Sequence, residues 1–447
     1  MLTSNKIFTH NNLINLLIAL IPLSLILGNA IVNINVILIC LVGILIYKFE
    51  IFKINKKVYQ YLIYAFFLYL ILITLFRNLP NLSDDNLYKT HIIKSFLFLR
   101  FLIFFLVINK LVERNNFNIS LFYLSCGFFV FIVSVDILIQ VIFGQNLLGN
   151  PILNRAPSGF FGVEAIAGGY IQKFSLFFLF YASLYKKNFK MNNYTILFFI
   201  FYLGVIYLTS NRMPTVLYVS SLAIFILFEN KIKKNLIFAL LSFVVIFTAI
   251  KYSPSAVTDF SANERRYMQF KALYSNAIEI IKKSPELFYY NTYDGKEMES
   301  IGQSGYLVHF NSGIQVWKSN KVFGGGLKSF RLNCTYGNNQ TCNTHPHNYL
   351  IEILVDTGLV GFILIYLIFI FSIFNFYKFY KYDLNSKALY IPFFLIIFLE
   401  IFPLRSSGSF FTTGTACITF FMLAVTIGCS SLKKNKYKYK YKKNYLF

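Results

Sequence analysis

Two histidines stand at the head of a long apolar run, in Asn343-Thr344-His345-Pro346-His347-Asn348-Tyr349-Leu350. Imidazole is the side chain whose proton exchanges near neutral pH, so such a pair can do acid–base work. Proline suits the first turn of a helix, which predicts His347 in that turn. There the positive end of the helix dipole favours the neutral ring, able to accept a proton. His347 is the candidate base, and His345 reads as a supporting or capping residue.

Cations come next. Arg212 sits in the turn Leu208-Thr209-Ser210-Asn211-Arg212-Met213-Pro214-Thr215, and Arg155 in the turn-rich Asn154-Arg155-Ala156-Pro157-Ser158-Gly159-Phe160-Phe161-Gly162. Arg265 and Arg266 follow Ser261-Ala262-Asn263-Glu264, where a helix to about Lys283 is expected. Each alone reads as ordinary surface or snorkelling charge. Together, around a histidine at a helix start, they suit an anionic substrate at a bilayer boundary, since guanidinium matches phosphate oxygens in a planar fork.

The elements that must position these residues are apolar. Hydrophobic residues make up 57% of the 447-residue chain and charged ones 13%, which excludes an ordinary soluble domain. The expected fold is an all-α polytopic membrane protein with about twelve transmembrane helices. They fall near 13–29, 31–47, 58–76, 92–109, 118–142, 166–185, 194–210, 213–229, 236–251, 348–376, 388–404 and 409–430. A large helical loop precedes the last three spans. The organisation is residues 1–251 as nine spans, 252–346 as the outer loop, 347–430 as three spans and 431–447 as a Lys/Tyr-rich tail. In the loop a second helix is expected from Gly313 to Lys318, then a flexible turn at Gly324-Gly325-Gly326. No cleavable signal peptide is evident.

The formal charge is +24, but no folded basic domain accompanies it, so nucleic acid is not an expected partner. Lys48, Lys53, Lys56, Lys57, Lys110, Arg114, Lys186, Lys187, Lys190, Lys231, Lys233, Lys234, Lys378, Lys381, Lys387 and the tail fall on one side of the span map. That side reads as cytoplasmic, with both termini on it. The tail reads as an anchor against anionic lipid.

Lys94, Arg100, Asp136, Lys173, Glu352, Asp356 and Glu400 lie within spans, where charge must face the interior or pair. Asn348, Glu352 and Asp356 recur every four residues on one helix face. They read either as a hydrogen-bonded stripe that locks packing or as a proton or cation path. Cys40, Cys126, Cys417 and Cys429 fall in spans as packing residues. Cys334 and Cys342 lie in the outer loop, where a disulfide is the first reading; a zinc site with His345 and His347 is the lesser one.

His345-Pro346-His347-Asn348-Tyr349-Leu350-Ile351-Glu352-Ile353-Leu354-Val355-Asp356-Thr357-Gly358-Leu359-Val360-Gly361 resembles the H-N-x-x-L-x-x-x-x-E-x-G-x-x-G signature of the O-antigen ligase and polymerase superfamily, with Asp356 in place of the usual Glu. Arg212 after Thr209-Ser210-Asn211 resembles its arginine at a Ser/Thr-rich span end. Arg155-Ala156-Pro157-Ser158-Gly159-Phe160-Phe161 resembles its R-x-S-G-x-F loop with one extra residue. Trp317 with Phe323-Gly324-Gly325-Gly326-Leu327-Lys328-Ser329-Phe330 resembles its W…G-x-G-x-x-x-F stretch. The resemblance covers most of the chain. It implies metal-independent transfer of glycan, without cofactor, from a polyprenyl diphosphate carrier on the periplasmic face of the bacterial inner membrane. The acceptor would be lipid A-core or a growing chain. His347 would deprotonate the acceptor, and Arg212, with Arg155, would hold the diphosphate. The family's arginine before the tryptophan is absent here; His309, Arg265 or Arg266 replaces it, or the clamp loses one element. A flippase or transporter for the same lipid-linked sugar is the alternative from another class, and a membrane scaffold a third.

Overall fold

The computed structural model describes residues 2–53, 58–81, 86–152, 156–162, 164, 166–185, 189–228, 305–334, 344–382, 387–402 and 408–429. Among them the fold is helical throughout. The elements are α1 (Leu2–Ala19), α2 (Ile21–Leu27), α3 (Asn29–Tyr47), α4 (Val58–Asn78), α5 (Asn86–Phe98), α6 (Arg100–Glu113), α7 (Ile119–Phe143), α8 (Ala167–Tyr185), α9 (Phe189–Leu208) and α10 (Arg212–Phe228). After them come α11 (Gly305–Ser319), α12 (Phe330–Asn333), α13 (Tyr349–Tyr382), α14 (Ile391–Glu400) and α15 (Thr413–Cys429).

Five helical stretches among these residues are long and apolar enough to cross a membrane: Asn29–Phe52, Val58–Asn78, Asn86–Glu113, Ile119–Phe143 and Tyr349–Tyr377. A sixth is possible if α1 and α2, bent by 46°, count as one span. The expected count of about twelve includes a span at 236–251, which lies outside the described residues. Leu16, Leu45, Leu68, Phe128, Ile363 and Phe374 point outward, as side chains meeting hydrocarbon do.

α15 is the centre of the bundle. Every residue from Ala416 to Cys429 is buried, so this helix is apolar on all faces and enclosed on all of them. α6 lies closest to it: Asn109 Nδ2 donates to Ala424 O at 3.2 Å, and Gly428 leaves room for Val112. Phenylalanines fill the space between helices, Phe420 against Phe67, Phe98 and Phe101, and Phe421 against Phe122 and Phe393. Cys40, Cys126, Cys417 and Cys429 are free and buried in this core.

Cross-links sort the helix ends into two sets. At one end Tyr59 donates to Asn109 and Glu113, Glu50 pairs with Arg114, Asn15 donates to Asn116 O, and Tyr123 donates to Leu389 O. Lys48, Lys53 and Lys110 belong to the same chain segments. At the other end Tyr170 donates to Pro22 O, Gly168 abuts Thr209 and Asn211, Gly326 abuts Thr74 and Asn78, and Gly414 abuts Leu25 and Asn29. The start of α13 belongs to this second end, through Glu352 and residues 409–410.

Candidate functional site

The histidine segment does not enter the helix as the sequence suggests. Asn348 is the N-cap of α13: its Oδ1 accepts the Ile351 N–H at 3.1 Å, and the helix begins at Tyr349. A short polar side chain able to take an orphan N–H starts the helix three residues later than Pro346 at its first position would. His347 therefore stands just outside the helix, in a left-handed backbone conformation with φ +53°. Such a conformation is costly for a side chain bearing Cβ and persists where surroundings enforce it. Part of that enforcement is visible. Pro346 and Ile351 close over Gly313 of α11, where a Cβ would lie 2.9 and 2.4 Å from their side chains.

Three imidazoles meet there. The rings of His345 and His347 are 4.2 Å apart between centroids, and His309 of α11 lies 4.9 Å from His347. Burial, then the charge of His309, holds His347 below the ordinary imidazole value. The cause is desolvation rather than the helix dipole that its expected position implied. Burial, followed by His347, Lys328, His309 and Arg331, pushes His345 down to about 4. His345 Nδ1 shares a 2.8 Å hydrogen bond with Thr344 Oγ1.

The frame around the histidines follows from one break in α13. Gly358 has φ +61° and ψ −167° inside that helix, which releases backbone groups on both sides of it. The turn at 321–326 takes them up. Gly325 and Gly326 donate to Val355 O and Asp356 O at 2.9 and 2.8 Å, and Leu359 and Val360 donate to Lys321 O and Val322 O at 2.9 and 3.1 Å. Tyr69 of α4 donates to Phe323 O and Thr357 O, and Arg77 to Gly324 O. In an apolar surrounding each unpaired group would cost several kcal/mol, roughly. The glycine turn, expected to be flexible, is thus pinned at both edges. Its glycines are needed for close approach, since a Cβ on Gly324 would lie 2.4 Å from Gly358 N.

The acidic stripe is structural in its observed contacts. Asp356 accepts from Lys328 N and Ser329 N at 2.7 and 2.9 Å and from Ser329 Oγ at 3.0 Å. Glu352 accepts from Ser409 Oγ and Phe410 N, tying the segment before α15 to α13. Val316, Phe330, Cys334, Ile351 and Val355 form a small core of their own, packed by Trp317, beneath the histidines. Cys334 is disulfide-bonded; Cys342 lies outside the described residues.

Arg212 is the first residue of α10. The turn before it, with Ser210 at φ +57°, packs on Gly168 at the head of α8. The segment preceding α8 is anchored from α7: Asp136 accepts from Leu147 N, and Gln140 Oε1 accepts from Ser158 N and Gly159 N at 2.9 and 2.8 Å. Within that segment Arg155 lies outside the described residues, as do Arg265 and Arg266. α10 packs on α8, α9 and α14, while α13 packs on α4, α11 and α15 and, more lightly, on α12 and α14. The structure thus gathers His309, His345, His347 and Asn348, and places Arg212 on a helix that, among the described residues, shares only α14 with α13 as a neighbour.

Sequence reading missed Lys328, Arg331 and His91. Lys94, Lys328 and Arg331 act electrostatically on His91, and Lys328 and Arg331 on His345. The Lys-x-x-Arg spacing beside the glycine turn was the one available signal. Among the described residues no group of three or more His, Cys, Asp or Glu is arranged to hold a metal ion.

A chain that is helical among its described residues, with several apolar spans and a histidine cluster where one span begins, fits a polytopic membrane protein with a polar site at one end. Residues 197–366 match the family model described as O-antigen ligase, consistent with the O-antigen ligase/polymerase superfamily. The matched stretch contains Arg212, His309, His345, His347 and the Gly358 break. No curated protein matches the chain.

Proposed function

We propose that the protein is a metal-independent glycosyltransferase that moves an oligosaccharide from a polyprenyl diphosphate carrier to an acceptor sugar hydroxyl, as an O-antigen ligase or polymerase. The acceptor is lipid A-core or a growing chain. The reaction face is periplasmic, the membrane is the bacterial inner membrane, and both termini are cytoplasmic. Residues 252–346 form the periplasmic loop between spans in 1–251 and 347–430, with 431–447 as the cytoplasmic tail. A Cys334–Cys342 disulfide braces the approach to the histidines.

The reading rests on the cluster of His309, His345 and His347 within the segment that matches the ligase family. A neutral His347 takes the proton from the acceptor hydroxyl as that oxygen bonds to the anomeric carbon. The bond from that carbon to the carrier phosphate breaks, and its electron pair leaves with the lipid diphosphate. Arg212, with Arg155, Arg265 and Arg266, stabilises the departing charge. His345, His309 and Asn348 position the base: two by ring contact, one by fixing where α13 starts.

The test supplies purified protein with a polyprenyl-diphosphate oligosaccharide, with and without lipid A-core. Transfer to core means ligase; a lengthened lipid-linked glycan means polymerase. His347→Ala and Arg212→Ala should each lower turnover by about 10²–10³-fold in protein that still folds. Carrier movement across vesicles with no glycan transfer, insensitive to His347→Ala, would overturn the enzyme reading in favour of a flippase.

A further inference from the structure

The base and the departing phosphate cannot be far apart. The attacked carbon bears the diphosphate, and the attacking oxygen lies about 3 Å from both carbon and base. Cations beside the histidines are therefore placed to meet that charge. Lys328 and Arg331 stand three residues apart, just after the glycine turn. Their backbone is fixed: Asp356 holds Lys328 N and Ser329 N, Thr74 Oγ1 accepts Leu327 N at 2.9 Å, and Lys328 is held at φ +61°. Lys94 of α5 lies within electrostatic reach of both. Among the described residues none of the three forms a salt bridge.

Two buried imidazole nitrogens adjoin this group. His91 is 1% exposed, and its Nδ1 has no hydrogen-bond partner among the described residues; the same holds for His345 Nε2. Both rings lie within electrostatic reach of Lys328 and Arg331. Three cations on a backbone that Asp356 and Thr74 fix, beside unpartnered ring nitrogens, make a cradle for a phosphoryl group, with the carboxylates of Asp356 and Glu352 within electrostatic reach of Lys328 alone among the three.

We propose that Lys94, Lys328 and Arg331, with His91 and His345 behind them, form a phosphate-binding cradle next to the histidine cluster, separate from Arg212. The inference deepens the glycosyltransferase reading by assigning the cations nearest the base. Lys328 and Arg331 hold the phosphoryl group from the outer segment, and Lys94 holds it from the bundle. The phosphoryl group comes either from the lipid carrier or from a phosphorylated acceptor glycan.

The experiment measures binding of polyprenyl diphosphate, and separately of a phosphorylated glycan acceptor, to full-length protein in nanodiscs. The double variant Lys328→Gln/Arg331→Gln is compared with wild type and with Lys328→Arg/Arg331→Lys, and melting temperature is followed throughout. A tenfold or greater loss for polyprenyl diphosphate, restored by the charge-conserving variant, assigns the cradle to the carrier. The same loss confined to the phosphorylated glycan assigns it to the acceptor. Unchanged binding of both by the folded double variant overturns the proposal, as does wild-type protein that binds neither. A wild type that binds through these residues yet transfers no glycan leaves the cradle standing and removes the enzyme reading instead.

Discussion

The rings of His309 and His347 face each other at 4.9 Å, one carried by α11 and the other by the strained residue before α13. The His345 ring lies closer to His347, but it is the charge of His309 that, after burial, lowers the His347 value. The pair joins α11 to the entry of a membrane span, alongside the packing of Gly313 and Val316 on Pro346 and Ile351.

That coupling fixes a pH response. The folded value of His347 is depressed, and the neutral ring is the form that accepts a proton. Activity should be full at neutral pH and fall as acidification passes through the depressed value, below the ordinary 6.5. In His309→Gln the neighbouring positive charge is gone, so the value for His347 rises. The acid limb of kcat/KM should move to higher pH, read from a full pH–rate profile.

Stability should follow His345. Its folded value is about 4 against an ordinary 6.5, so the unfolded chain binds its proton first on acidification. The contribution is complete above pH 6.5 and is lost progressively as pH falls toward 4. Melting curves across that window should show a smaller acid loss in His345→Gln than in wild type.

Gly324→Ala should prevent the turn from seating. The added Cβ would meet backbone on three sides within 2.6 Å, at Gly358 N, Asp356 O and Thr357 C, and Gly324 already has φ +79°. A loss of roughly 2–4 kcal/mol is expected, seen as a lower melting temperature together with loss of transfer. Gly28→Ala serves as a comparison: it also has positive φ, but nothing lies within 4 Å of its would-be Cβ, so the damage should be smaller.

Asp356→Asn should weaken the segment holding Lys328. The carboxylate accepts three hydrogen bonds, and an amide presents one oxygen and a donor to the same N–H groups. About 1–3 kcal/mol should be lost. Hydrogen exchange at Lys328 and Ser329 should speed up while amides in α15 stay protected.

Reduction should act locally as well. Breaking the disulfide of Cys334 removes a cross-link beside the small outer core of Val316, Phe330, Ile351 and Val355. Dithiothreitol or Cys334→Ser should cost about 2–4 kcal/mol and lower transfer, while the four buried thiols of the bundle stay unreactive.

The long apolar elements were legible because hydrocarbon dictates their length: helices at Ile119–Phe143 and Tyr349–Tyr382 lie near the expected 118–142 and 348–376. The break at Leu99 was not, since no helix breaker stands there, whereas the bend at Leu20 has a visible cause in Pro22, which lacks the N–H that would continue the helix. His345 and His347 could be singled out because they share one short segment. The three-ring cluster could not, because His309 reaches it only through the packing of α11 on α13. The pinned glycine turn was hidden for a similar reason. Its partners are backbone groups that exist only once Gly358 breaks the helix, and a sequence carries no sign of which carbonyls will be set free.

Lys173 of α8 and Glu400 of α14 meet at 2.8 Å with both side chains almost wholly enclosed. Parting them would strand two ions in a medium that cannot solvate them, at a cost of roughly 3–5 kcal/mol. These two helices must therefore travel as one rigid unit.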